Sequence, residues 1–386
     1  MKVIANNFGY GIQHLAAIML DLELGTDVNL NSFDENNCSN DIYTKLVDPI
    51  NMAINKYGME NQNFFNLRNV KFNRKILKTS IMTKVYNVTA YGIAQQLKSK
   101  LENISQNLSK NGFNLEKIKT IINFNSSSLE IEKIILSEIS KNLVKNKYEF
   151  YIAPSNINSS IVLLSKSEIF KIATIINEQI FVLYPSLNNI YNYFIDTAKL
   201  IIDLGIPLSW ITPTGMKITQ NYLKSKQTTI SIRFAGRTRK SVLREWTNIL
   251  NKHKQTQAII PNIIHSLDAT HLINIIINAE SNKFSPLISI HDCFSTLPNK
   301  MGELEHNIKK EFILLYSQNN FLETFHNRII QSIKDNNLNI IERKNENYVL
   351  FYDCNSNSEI ELKIPNLPAL GKLDLENIIN SKYMIN

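Results

Sequence analysis

The 386 residues are 44% hydrophobic and carry 42 Lys and Arg against 34 Asp and Glu, for a net charge of +8. That is ample for a sizeable core in more than one lobe, and the basic balance favours polyanionic partners, nucleic acid and acidic membrane surfaces alike. Three widely spaced cysteines, Cys38, Cys293 and Cys354, argue against a disulfide framework or zinc site, and apolar runs broken by charges such as Lys171 and Glu178 argue against a membrane span.

Along the chain, Gly9 and Gly11 mark a turn, and Ile12 to Leu22 reads as a helix. The N-terminus lacks both a signal peptide's cleavage region and a transit peptide's Arg/Ser richness. A polar stretch, NSFDENNCSND, precedes a helix from about Asp41 to Tyr57. Residues 73–97, NRKILKTSIMTKVYNVTAYGIAQQL, hold no Pro and no Gly before Gly92, so one helix of five or more turns is expected. On it Arg74, Lys78, Met82 and Tyr86 recur every four residues and share one broad face. Two cations at one end and an aromatic ring at the other complement a nucleoside triphosphate, because Arg and Lys bind phosphate oxygens. The same pattern also fits a solvated charged face beside a core Met and Tyr.

The amphipathic spacing of residues 98–165 predicts helices with a solvated face, and residues 166–205 read as longer helices with an apolar stripe. Residues 207–222 read as two short strands around Pro213-Thr214-Gly215. Residues 226–250 carry Arg233, Arg237, Arg239, Lys240 and Arg244, either a phosphate-contacting patch or a solvated basic loop. In PNIIHSLDATHLI, residues 261–273, Pro261 suits a helix start, and His265, Asp268 and Leu272 share a face. His265, Asp268 and His271 also have spacings that place metal ligands on neighbouring turns, with no fourth ligand nearby. In LISIHDCFSTL, residues 287–297, a short strand, a bend at His291-Asp292 and a return strand would expose one carboxylate at a hairpin tip. Residues 339–364 read as hairpin-like, before the tail LPALGKLDLENIINSKYMIN.

Taken together these phrases resemble the single-subunit, bacteriophage-type RNA polymerases, including mitochondrial and linear-plasmid ones. The phrase Arg-xxx-Lys-xxx-Met-Thr-xx-Tyr resembles that family's nucleotide-binding helix. Gly11-Ile12-Gln13-His14, Trp-x-Thr-Pro-x-Gly, Pro-Asn-x-x-His-Ser-x-Asp-x-x-His-Leu, His-Asp-Cys-Phe and Leu-Pro-x-x-Gly-x-Leu-x-Leu match further family phrases in order. The family pattern is an Asp, five intervening residues, then Ile-Gln-His, and at the Asp position this chain has Asn6; the neighbouring position, which lends a backbone carbonyl to metal, is Asn7. Other departures are Asn87 after Tyr86 and Ser295 after Phe294, where the family has Gly in both cases, and a tail that has Tyr383 in the aromatic region but ends in Met384, Ile385 and Asn386.

The resemblance implies an α+β, right-hand architecture of palm and fingers, helix-rich and lacking the family's N-terminal domain and thumb. Residues 1–48 and 266–386 would form the two parts of the palm with the C-terminal tail. Residues 49–265 would be the fingers, including the nucleotide helix at 73–97 and a specificity-type loop at about 226–250. It implies DNA-directed RNA synthesis by two Mg²⁺ ions. Asp292 would hold metal, with Asn6 at the position of the lost carboxylate. Arg74 and Lys78 would hold the triphosphate, with Met82 beside them, and Tyr86 and His265 would lie by the sugar and the new base pair. Arg233, Arg237, Arg239 and Lys240 would contact DNA. The implied partners are a DNA template, an RNA product, ribonucleoside triphosphates and a separately encoded N-terminal part, with no membrane. The family members carry a long upstream part, so the expectation is a C-terminal fragment, inactive or impaired alone. The frequency of Asn, Ile and Lys points to an AT-rich gene, and with it to an organellar genome or plasmid and a mitochondrial location. Competing expectations are a non-catalytic nucleic-acid-binding remnant and a related DNA polymerase. The latter would carry an acidic residue after His-Asp, where Cys293 stands.

Overall fold

A computed structural model describes residues 2–5, 9–31, 39–107, 147–155, 161–234, 236–281, 286–290, 293–318, 320–343, 346–353 and 358–385. By packing, Met1–Asn40 with Tyr184–Asn386 form one unit and Asp41–Leu183 a second.

The first unit opens with β1 (Lys2–Ala5), α1 (Tyr10–Met19) and α2 (Leu22–Asp27). Gly9 precedes α1 with φ 91°, a left-handed conformation that costs glycine little. Every residue of α1 is buried, so this helix serves as the unit's central post. Asp21 caps α2 by accepting a 3.0 Å hydrogen bond from the Leu24 N–H.

In the second unit come α3 (Ile42–Lys45) and α4 (Val47–Glu60), where one helix over Asp41–Tyr57 was expected. Next are a 3₁₀ stretch (Gln62–Asn69), α5 (Arg74–Lys84) and α6 (Ala90–Lys100). The single helix expected over 73–97 is therefore two. Val85 and Val88 are poor helix formers, Asn87 turns left-handed at φ 58°, and Thr89 restarts the helix by accepting a 3.2 Å bond from the Gly92 N–H. Beyond α6, β2 (Glu102–Asn107), β3 (Lys147–Pro154) and β4 (Ile161–Ser165) form an antiparallel sheet in that order. The expectation of helices over 98–165 is thus corrected where the chain is described; the rest of that expectation lies outside the described residues. Aromatic and β-branched residues cluster in KYEFYIAP and IVLLS, and that composition outweighed the amphipathic spacing. Then α7 (Lys166–Leu183) opens on a capping box. Glu168 accepts 2.7 Å from the Ser165 N–H, and Ser165 Oγ accepts 3.3 Å from the Glu168 N–H. Its stripe of Ile169, Ile172, Ala173, Ile176 and Ile180 is buried, as period 3.6 requires, and the helix packs on α4, α5 and α6.

Back in the first unit, α8 (Pro185–Asp203) carries Pro185 at its start, a position where the missing N–H costs nothing. Then β5 (Leu208–Ile211) and β6 (Lys217–Gln220) flank a turn at Gly215, φ 85°, as expected. Trp210 is fully buried against Phe325, and its Nε1 donates to Ser266 Oγ at 3.1 Å. There follow β7 (Leu223–Phe234), β8 (Arg237–Leu250) and α9 (Lys252–Ser281). The helix expected to start at Pro261 instead runs through it. Burial of Ile259, Ile260, Ile263, Ile264 and Leu267 is worth several kcal/mol, more than the ~3 kcal/mol an internal proline costs.

Finally come β9 (Ile288–Ile290), β10 (Cys293–Thr296), α10 (Met301–Ser317) and α11 (Phe321–Asp335), then β11 (Asn339–Arg343), β12 (Glu346–Asp353) and β13 (Ser358–Lys363). The last three form an antiparallel meander, one strand more than a hairpin. The tail straps back over α1: the Gly371 N–H donates to Met19 O at 2.7 Å and Gln13 Nε2 to Met384 O at 3.2 Å. A Cβ on Gly371 would lie 2.3 Å from Leu20 O, so only glycine lets the strap approach this closely. Among the described residues no helix is long and apolar enough to cross a membrane.

Candidate functional site

Asn73 caps α5, its side chain accepting 3.1 Å from the Ile76 N–H, and that fixes where Arg74 leaves the helix. Arg74 and Met82 are exposed and Lys78 is half-buried on this face. Tyr86 does not extend the face: it stands in the turn between α5 and α6, half-buried, its N–H bonded to Thr83 O at 3.1 Å. Arg74 and Lys78 both lie over the buried ring of Tyr43, at 5.7 and 5.4 Å from its centroid, a cation–π arrangement. Arg74 Nε also donates to Asp41 Oδ2. Burial raises the Asp41 carboxyl, but the bonds from Arg74 and Thr44 outweigh it and hold the group below its ordinary value.

Further along α5, Lys84 is buried with its ammonium 4.6 Å from the Phe181 ring centroid. Burial holds its pKa down to about 8, from 10.5. Between these values the unfolded chain keeps a proton that the folded chain has lost, so stability rises with pH through that window. Lys84→Met is expected to stabilise the protein by about 1–2 kcal/mol at pH 7 and to abolish that rise. Urea midpoints on either side of the window measure both effects.

In the first unit, β1, β10 and β9 form one antiparallel sheet in that order. Ala5 pairs with Cys293, and Cys293 with Ile290. Asn6 and Asp292 are thus the chain neighbours of the two members of one bonded pair. Asn6, Asn7 and Asp292 themselves lie outside the described residues. Of the strand–bend–strand pattern expected over 287–297 both strands are in place; the expected bend lies outside the described residues.

On α9, His265 is exposed, Asp268 is half-buried and His271 is fully buried. His271 donates from Nε2 to Ile308 O at 2.9 Å, and its Nδ1 accepts the Tyr10 hydroxyl. That arrangement fixes a neutral tautomer. Burial lowers its pKa to about 4 from 6.5. His14 is buried beside it, 6.4 Å between ring centroids, with Nδ1 on the Tyr316 hydroxyl; burial first, then His271, lowers its pKa well below the ordinary value. Among the described residues no three His, Cys, Asp or Glu side chains gather to hold a metal. The alternative of a metal on His265, Asp268 and His271 is not met, because both ring nitrogens of His271 are already engaged.

The basic segment is a two-stranded ribbon of 12- and 14-residue strands, roughly 40 Å long. Its register pairs Ile232 with Arg239, Ser231 with Lys240, and Arg233 with Thr238. Opposed residues share a face, so Arg237 and Arg239 lie on one side and Arg233, Lys240 and Arg244 on the other. All five are exposed. A two-stranded ribbon fits the DNA major groove, and cations on both faces would meet phosphates on both walls.

Two features escaped the sequence reading. The Arg74–Asp41 pair spans 33 residues; the only signal was Asp41 as a helix cap. The Tyr10–His271 and His14–Tyr316 couples join α1, α9 and α10, and residue spacing alone does not show which face of α9 turns inward.

A family model described as DNA-dependent RNA polymerase matches residues 7–386. The chain is 39% identical over 387 residues to "Probable DNA-directed RNA polymerase" of Gelasinospora sp. (strain G114), covering 97% of this chain and 41% of that protein. It is 26% identical to "DNA-directed RNA polymerase, mitochondrial" of Schizosaccharomyces pombe, covering 97% of this chain and 28% of that one. It is also 26% identical to "T7 RNA polymerase" of Escherichia phage T7, over 45% of this chain and 17% of the relative. The chain spans less than half the length of these relatives.

Proposed function

This chain belongs to the DNA-dependent RNA polymerase family, and on that footing we propose that it binds a DNA template and ribonucleoside triphosphates at the place where ribonucleotides join an RNA end. The observation that carries the reading is the ladder register: Ala5 pairs with Cys293, and the two candidate metal positions, Asn6 and Asp292, are their immediate neighbours in the chain. Arg74 and Lys78 bind the triphosphate, with Met82 beside them. Tyr86 and His265 serve the sugar and new base pair, and Arg233, Arg237, Arg239 and Lys240 bind DNA. A chain that spans 41% of a relative works together with the part it does not span, joined to it or separately encoded. The mitochondrion is the proposed location, in keeping with the name of the fission-yeast relative.

The family's chemistry uses divalent cations, Mg²⁺ in this proposal. The donor set here is one carboxylate, Asp292, with Asn6 and the Asn7 backbone carbonyl. Hard divalent cations prefer charged carboxylate oxygen, so this set fits two ions poorly. The chain's own residues therefore bind and orient better than they catalyse. That favours a second reading, a nucleic-acid-binding member that has lost its chemistry. Primer extension separates the two: Mg²⁺-dependent, template-directed addition supports the first, and DNA binding with no addition supports the second.

DNA binding itself tests the ribbon. Replacing Arg233, Arg239 and Lys240 together with Ala is expected to lower the slope of log affinity against log salt by about 0.9 for each phosphate that the ribbon no longer neutralises. The fold should not change, because all three side chains are exposed. An unchanged slope would remove the ribbon from the DNA site.

A further inference from the structure

Arg74 is fixed by a group that belongs neither to its helix nor to any neighbouring turn. We propose that Asp41 is the positioning residue for the triphosphate end of the nucleotide site, holding the Arg74 guanidinium by Nε so that its two terminal nitrogens are presented to an oxyanion. The proposal rests on the reading of Arg74 and Lys78 as triphosphate ligands.

Three observations support it. Asp41 is itself immobilised: it caps α3, accepting 3.0 Å from the Tyr43 N–H and 2.8 Å from Thr44 Oγ1. Its partner engages through one corner of the guanidinium, and four of the five N–H donors of an arginine lie on the two terminal nitrogens. The charge around it is lopsided. Lys100 Nζ reaches Lys75 O at 2.8 Å, and its pKa is lowered by burial and then by Lys75 and Lys78. Arg74, Lys75, Lys78 and Lys100 thus crowd together. Among the described residues Asp41 is the carboxylate bonded to this cluster, through Arg74, and a polyphosphate has the charge to balance the remainder.

A fixed carboxylate beside a phosphate site has two opposed effects. It repels the incoming anion, and it removes the freedom that a long arginine side chain otherwise loses on binding. The capping bonds and the Nε contact favour the second. Three hydrogen bonds hold Asp41 in place, and the donors left over suit bidentate phosphate binding.

The test is binding of inorganic tripolyphosphate to the full chain by calorimetry, without metal. Asp41→Asn keeps a capping side chain, and a melting curve checks its fold; Asp41→Ser, also a capping residue, serves if the first variant melts early. The dissociation constant is expected to rise about fivefold to tenfold in Asp41→Asn, to rise in Arg74→Ala, and to rise no further when the two are combined. Binding by Asp41→Asn as tight as the original or tighter would overturn the proposal and make Asp41 a competitor. So would a loss that persists undiminished in the Arg74→Ala background. If Arg74→Ala binds like the unsubstituted chain, the triphosphate reading of Arg74 falls first, and the role of Asp41 falls with it.

Discussion

Asn6→Asp is expected to raise template-directed ribonucleotide addition by on the order of a thousandfold. An amide oxygen carries no net charge, whereas a carboxylate offsets one of a divalent ion's two charges and is the preferred donor for it. Charge stabilisation by metal is worth several kcal/mol, and each ~1.4 kcal/mol is tenfold in rate. The gain should appear in single-nucleotide primer extension at saturating template and primer, as a change in rate with little change in nucleotide KM. It should vanish when Asp292→Asn is added, because the two positions adjoin the bonded pair Ala5 and Cys293. Extension that stays flat while the variant binds template and nucleotide normally would take position 6 out of the chemistry.

Lowering the pH from 7 to 4 is expected to destabilise the first unit by about 3 kcal/mol through His271 alone, with His14 adding in the same direction. The His271 pKa is about 4 when folded, against 6.5 ordinarily. Between these values the unfolded chain takes up a proton that the folded chain refuses, so stability falls as pH falls across that window and levels off below it. His271→Leu removes this titration together with the buried bonds that His271 makes to the Tyr10 hydroxyl and the Ile308 carbonyl. It should cost about 2–4 kcal/mol at pH 7 and much less relative to the original at pH 4. Urea unfolding at both pH values reads the difference. Parallel loss in both proteins would show that His271 is not the titrating group.

The sequence revealed the local devices and missed what distant packing decides. The two strands around His291-Asp292 and the turn at Gly215 rest on local alternation or turn residues, and each formed as expected, whereas the basic segment expected as a loop is a long ribbon. Tyr86 was set on a helix that breaks before it. Four-residue spacing looked continuous, while Asn87 and Thr89 carried the stop and restart signals. Pro261 read as a beginning and became an interior residue, because the isoleucines around it are buried. The partner of Arg74 was invisible, since a capping aspartate 33 residues away shares no periodicity with it.

The strap over α1 has a consequence for how the protein is made. Gln13 bonds the carbonyl of Met384, 371 residues later, and β1 pairs with β10. On the ribosome, residues 41–183 emerge while β1 still waits for β10 and α1 for the segment that begins at Gly371. Contacts this remote in sequence form slowly, and apolar segments left waiting are prone to aggregate. A chain truncated before residue 371 would leave α1 without its strap, so a distant segment governs whether this buried helix is covered.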